Sequence, residues 1–231
     1  MARITRKELK SDKFALEVGQ TVTFFEEHRE VLFRYGWIAL AVVAVVLGYR
    51  FYARNQHTAR EEALYKAIQV AQAPVGAASG GGLTFLTQEL KDQQSVKQFT
   101  DLAGKYGGSA EGNIAEYYLG SILADEGKLA DAEKRFKSVA QNGDEKYASL
   151  SKLSLAEIYF GDGRADLGEK TLRDLIAHPT IFVSADQATI SLARQLVSRN
   201  PGEARKLLQP LLSKPGATGQ TAVSLNAELP Q

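Results

Sequence analysis

Apolar and polar residues follow three different rhythms along this chain. From Tyr35 to Tyr49 the sequence YGWIALAVVAVVLGY carries no charge between Arg34 and Arg50. As a helix rising about 1.5 Å per residue it reaches roughly 22 Å, short of a hydrocarbon layer of about 30 Å. The flanks make up the difference. Val31, Leu32 and Phe33 precede the run, Phe51 and Tyr52 follow it, and the two arginines reach head groups on long stems. Tyr35, Trp37, Tyr49 and Tyr52 fall where interfacial aromatics belong. A core helix of a soluble domain would keep a polar face, so the pattern predicts one membrane-spanning helix over 35–52. No Ala-x-Ala pattern follows the run closely, which favours an uncleaved anchor over a signal peptide. Ala44 and Gly48 form a small-xxx-small pair, compatible with close packing of two spans.

The second rhythm belongs to the tail, 1–34. Phe14, Val18, Val22, Phe25 and Leu32 recur at helical spacing, behind a basic cluster of Arg3, Arg6, Lys7, Lys10 and Lys13. The tail is expected to be basic and amphipathic, either extending the span or lying at the head groups. Charge does not orient the span. Arg29 and Arg34 on one side stand against Arg50, Arg54, Arg60 and Lys66 on the other.

The third rhythm is helical and recurrent. Ala59–Gln72 reads as a helix, the Gly-rich stretch Ala73–Gly82 as a breaker, and Gln94–Tyr106 as a second helix stopped by Gly107–Gly108. Beyond these, Leu119-Gly120-x-x-Leu123, Leu155-Ala156-x-x-Tyr159 and Leu192-Ala193-x-x-Leu196 recur at intervals of 36 and 37 residues. Gly127, Ala132, Phe136 and Val139 follow the first copy; Gly163, Gly168, Leu172 and Leu175 follow the second. In the third, Asn200-Pro201-Gly202 supplies the turn, followed by Ala204, Leu208, Leu211 and Leu212. Small residues mark where two antiparallel helices cross closely, and large ones fill the space beside them. The expected fold is all-α: a single transmembrane helix followed by an α-solenoid of antiparallel helix pairs over 55–215. Gly216 to Gln231 is expected to be a disordered tail.

Composition narrows the chemistry. The 231 residues include no cysteine, which removes disulfides, thiol catalysis and Cys-ligated metals. A net charge of +1 disfavours a dedicated nucleic-acid binder. His28, His57 and His178 have no metal-ligand spacing, no Gly-x-Ser-x-Gly is present, and the glycine run is not followed by Lys-Ser/Thr as a phosphate cradle requires. Asp125–Glu126 and Asp144–Glu145 fall at helix ends, where solvated carboxylates are ordinary. Neither an enzyme nor a cofactor, metal or small-molecule substrate is expected.

The repeating units Asn113–Asn142 and Lys146–His178, with a looser Ser184–Ser213 and an interrupted Arg60–Tyr106, resemble the tetratricopeptide repeat (TPR) family. That resemblance implies a scaffold that binds proteins or extended peptides. First helices of stacked pairs line the inner surface of such a solenoid. By repeat position that surface comprises Tyr117, Ser121 and Asp125, then Leu153, Glu157 and Phe160, then Ile190 and Arg194, flanked by Ile114 and Val197. Tyr117 and Phe160 would grip side chains, while Glu157 and Arg194 would set polarity; packing is the alternative role for each. TPR domains that hold C-terminal carboxylates use a Lys/Asn/Arg clamp. Tyr117, Ser121 and Glu157 stand in those places here, which disfavours that specialisation.

The order of parts narrows the resemblance. FFEEHREVLFRYGW, one span, AREEALYKA, then QFTDLAGKYGGSAEGNIAEYYLGSILADEGKLADAEKRF is similar to the YfgM-like family, ancillary subunits of the bacterial SecYEG translocon. The resemblance implies a single-pass protein of the bacterial inner (cytoplasmic) membrane, its N-terminus cytoplasmic and its repeat domain periplasmic. It would hold exported chains or periplasmic chaperones near the translocon. The longer tail and Gly-rich insertion depart from that family, leaving open an adaptor for another envelope complex, such as division or outer-membrane assembly.

Overall fold

The computed structural model describes residues 29–76 and 82–230, and their side chains from Phe33 onward. The predicted amphipathic face and basic cluster of the tail lie almost wholly outside the described residues. The described residues fall into two units divided between Thr58 and Ala59. The described residues form nine α-helices, and no strand beyond one bridge between Val75 and Phe85.

The first helix, α1 (Arg29–Gln72), supplies the whole described part of the first unit and the opening helix of the second. Sequence reasoning separates a span ending near 52 from a helix starting near 59; the structure joins them. No Gly or Pro stands between Gly48 and Pro74, and the intervening residues are good helix formers, so nothing breaks the ladder until Ala73-Pro74. Every side chain from Phe33 to Tyr52 is exposed. By length and composition α1 contains one helix apolar enough to cross a membrane, and none of that window is covered by protein.

In the second unit α2 (Gln88–Lys105), α3 (Ala110–Asp125), α4 (Leu129–Asn142), α5 (Glu145–Gly161), α6 (Ala165–Ala177), α7 (Ala185–Leu196), α8 (Pro201–Leu208) and α9 (Ala217–Ala227) follow. Consecutive helices pack on one another from α2 to α8, and α9 packs on α7 and α8. Helix α2 begins six residues before its expected start at Gln94, because Thr87 caps it by accepting from the Leu90 amide.

Two kinds of turn build the solenoid. Within the two clearest repeats the turn is glycine: Gly127 (φ +75°) before α4 and Gly163 (φ +85°) before α6 adopt the left-handed conformation that a Cβ disfavours. Elsewhere a polar side chain caps the next helix. Ser109, Asp144, Ser184 and Asn200 accept amides at the starts of α3, α5, α7 and α8. The helix crossings are as the small/large pattern requires. A Cβ on Gly120 would lie 2.8 Å from the fully buried Phe136 ring, and one on Gly168 would lie 2.6 Å from the Phe160 ring. Ala132, Ala156, Ala193 and Ala204 are completely buried at corresponding places.

One expectation fails. The stretch from Gly216, read as a disordered tail, folds into α9 and buries Ala222, Leu225 and Leu229 against Leu192, Leu208 and Leu211. The turn at Lys214-Pro215-Gly216 sets its entry: Gly216 has φ +78°, and a Cβ on Gly219 would collide with the Lys214 carbonyl oxygen at 1.9 Å. Leu192, Leu208 and Leu211 would otherwise be left with an uncovered edge, so α9 closes the end of the solenoid.

Candidate partner-binding groove

Helices α3, α5 and α7 are the first helices of their pairs, and they present side chains to two adjoining cavities. The first, about 290 Å³, lies mainly between α3 and α5. Ser121, Ala124 and Asp125 come from α3, Leu129 and Phe136 from α4, and Ser154, Glu157, Ile158 and Gly161 from α5. The second, about 490 Å³, is bounded by Leu153 and Glu157 of α5, by Gln187, Ile190, Ser191 and Arg194 of α7 with the cap Ser184, and by Ala217, Thr218 and Thr221 of α9. Glu157 lines both. The cavities therefore adjoin and are open to solvent.

Six of the eight residues expected on the inner surface line these cavities: Ser121, Asp125, Leu153, Glu157, Ile190 and Arg194. Tyr117 and Phe160 line neither. Tyr117 is half-buried between rings, its centroid 5.8 Å from Phe136, 5.7 Å from Tyr118 and 5.4 Å from Tyr147. Phe160 covers Gly168 at the α5–α6 crossing. Both positions point along the first helix, but an aromatic there finds more apolar surface against its own neighbours than in an open groove. Sequence reasoning missed Ser154, Gln187 and Ser191, which share helical faces with Leu153, Glu157, Ile190 and Arg194 and were legible by i, i+3, i+4 spacing. It also missed Thr218 and Thr221, which lie in the stretch read as disordered.

Several charges are paired across neighbouring helices and turns. Arg164 donates to Glu133 at 2.9 and 2.6 Å and to Asp162, and stacks 4.5 Å from the Tyr159 ring centroid. The Arg164 guanidinium holds the Glu133 carboxyl down to about 2. Arg135 pairs with Glu116, Lys152 with Asp174, and Lys214 with Asp186. Asp125, Glu157 and Arg194 have no ion-pair or hydrogen-bond partner among the described residues. Burial pushes the Glu157 carboxyl above its usual range, against a weaker opposing attraction from Arg194. Burial likewise raises the Tyr117 phenol and pushes Tyr147 up to about 12.

Among the described residues no group of three His, Cys, Asp or Glu side chains is placed to hold a metal ion. What the arrangement offers is an open trough lined by hydroxyls, an amide, charged groups and apolar patches. TPR-like repeat domains are protein-interaction scaffolds, typically without catalysis.

No curated protein and no solved structure matches the chain. The family of tetratricopeptide repeat-like domains matches residues 23–186, which take in the apolar segment of α1 and every helix through α6. With that match extending over more than half of its length, the chain belongs to the tetratricopeptide repeat-like domain family.

Proposed function

We propose that this protein is a membrane-anchored scaffold of the bacterial cell envelope that holds extended segments of other proteins in the α3–α5–α7 groove. The observation that carries the proposal is a pairing of features: an apolar helix with no protein cover and an open, polar-lined trough on the repeat unit. The apolar side chains between Phe33 and Tyr52 are stable in contact with lipid and costly in water, at about 25 cal/mol per Å² of apolar surface. A tether concentrates a binding groove at the membrane without enclosing a reaction. The YfgM-like order of parts supports an N-terminus in the cytoplasm, a repeat unit outside the cytoplasmic membrane, and service to exported chains or their chaperones beside the Sec translocon.

Purification of the full chain in mild detergent, with identification of the proteins that accompany it, tests the partner. Recovery of translocon subunits is expected, and their consistent absence alongside other envelope complexes would overturn the translocon assignment. A reporter fused after Gln231 and active only outside the cytoplasm tests the orientation. Recovery of the protein in the soluble fraction, without detergent, would refute the anchor.

A further inference from the structure

We infer that the α3–α5 cavity seats a Lys or Arg side chain of the bound polypeptide. This rests on the reading of the groove as a peptide site. The cavity has two charged lining residues, Asp125 and Glu157, and both are carboxylates. The rest of its lining combines the apolar side chains of Ala124, Leu129, Ile158 and Phe136 with the hydroxyls of Ser121 and Ser154. Apolar side chains beside two exposed carboxylates complement an aliphatic stem ending in a cation.

The carboxylates are available for this role. Neither has a partner among the described residues, although nearby carboxylates do: Glu126 is taken by Lys128 at 2.7 Å, Glu133 by Arg164 and Lys137, and Glu116 by Arg135. The groups facing Glu157 include one cation, Arg194 of α7, which lines the adjoining cavity and not this one. Among charged lining residues the α3–α5 cavity has carboxylates alone, whereas the adjoining one combines Glu157 with Arg194. A peptide crossing the groove presents a basic side chain to the first cavity, and the hydroxyls of Ser191, Thr218 and Thr221 are left to meet its backbone in the second. A bare divalent cation is a poor fit, because two carboxylates replace few of its water ligands.

The test uses the full chain in detergent micelles and fluorescence anisotropy with three labelled dodecapeptides of Ser, Ala and Leu. They differ only at a central residue: lysine, norleucine or glutamate. The lysine peptide is expected to bind about tenfold or more tighter than the norleucine peptide, and the glutamate peptide weakest. The preference for lysine over norleucine should disappear in D125N/E157Q, whose folding is checked by circular dichroism and melting. Equal binding of all three peptides would overturn this inference while leaving the groove as a peptide site. Failure of every peptide to bind would overturn both. Loss of lysine-peptide binding on adding calcium, with no such loss in D125N/E157Q, would reassign the cavity to the metal.

Discussion

The same chemical change, Gly to Ala within a helix, should have opposite effects at two positions of this protein. At Gly104, in α2, a new Cβ meets nothing within 4 Å. There the substitution improves helix propensity by about 0.5–1 kcal/mol, and the melting temperature should rise by a few degrees. At Gly120, in α3, the same Cβ lies 2.8, 3.0 and 3.1 Å from three atoms of the Phe136 ring. That ring is 1% exposed and cannot swing into solvent. Overpacking there costs about 1–3 kcal/mol, from which the propensity gain is subtracted. The net is a loss of up to about 2.5 kcal/mol, or several degrees in a unit of this size. Thermal melts of the full chain in detergent, followed at a helical wavelength, measure both. The Gly120→Ala/Phe136→Leu double variant should lose less than the sum of its single variants, because the smaller side chain vacates the space that the new methyl needs. A Gly120→Ala protein that gains stability as Gly104→Ala does would refute the assigned crossing and the repeat register with it.

Three further outcomes are expected. Leu225→Ala should cost about 2–4 kcal/mol, since Leu225 is buried in the cluster closing the solenoid; a melting temperature unchanged from the parent would mean that α9 does not dock. Glu133→Gln should lower the melting temperature at neutral pH. Because Arg164 depresses the Glu133 carboxyl to about 2, its stabilisation is complete above the ordinary carboxylate value of 4.5 and is lost as pH falls toward 2, so parent and variant should converge across that window in melts taken at several pH values. Glu157→Gln should do the reverse. Desolvation raises its carboxyl, so the charged form weighs against folding once pH exceeds the unfolded value; the variant should be slightly more stable than the parent at neutral pH while losing preference for a basic peptide, and a loss of stability would contradict the electrostatics of the groove.

Periodicity alone determined the repeat architecture. Leu119, Leu155 and Leu192, with Gly120, Gly168 and Ala132, encode crossings whose geometry is local to two neighbouring helices, so composition at a few offsets suffices to read them. The uncharged run from Tyr35 to Tyr49 likewise announces its solvent preference without reference to the rest of the chain. The groove was half legible. First-helix positions such as Ser121, Glu157 and Arg194 follow from the repeat register, but register cannot say whether an aromatic on that face turns outward. Tyr117 and Phe160 turned to their neighbours because Tyr147, Phe136 and the bare backbone of Gly168 offered them contact, and those partners come from other helices. Helix α9 was hidden for a related reason. ATGQTAVSLNA is weakly amphipathic and rich in small polar residues, and only the uncovered Leu192, Leu208 and Leu211 of the preceding helices give Ala222 and Leu225 something to bury. By covering them, α9 also brings Thr218 and Thr221 to the groove, a wall that tertiary packing alone could supply.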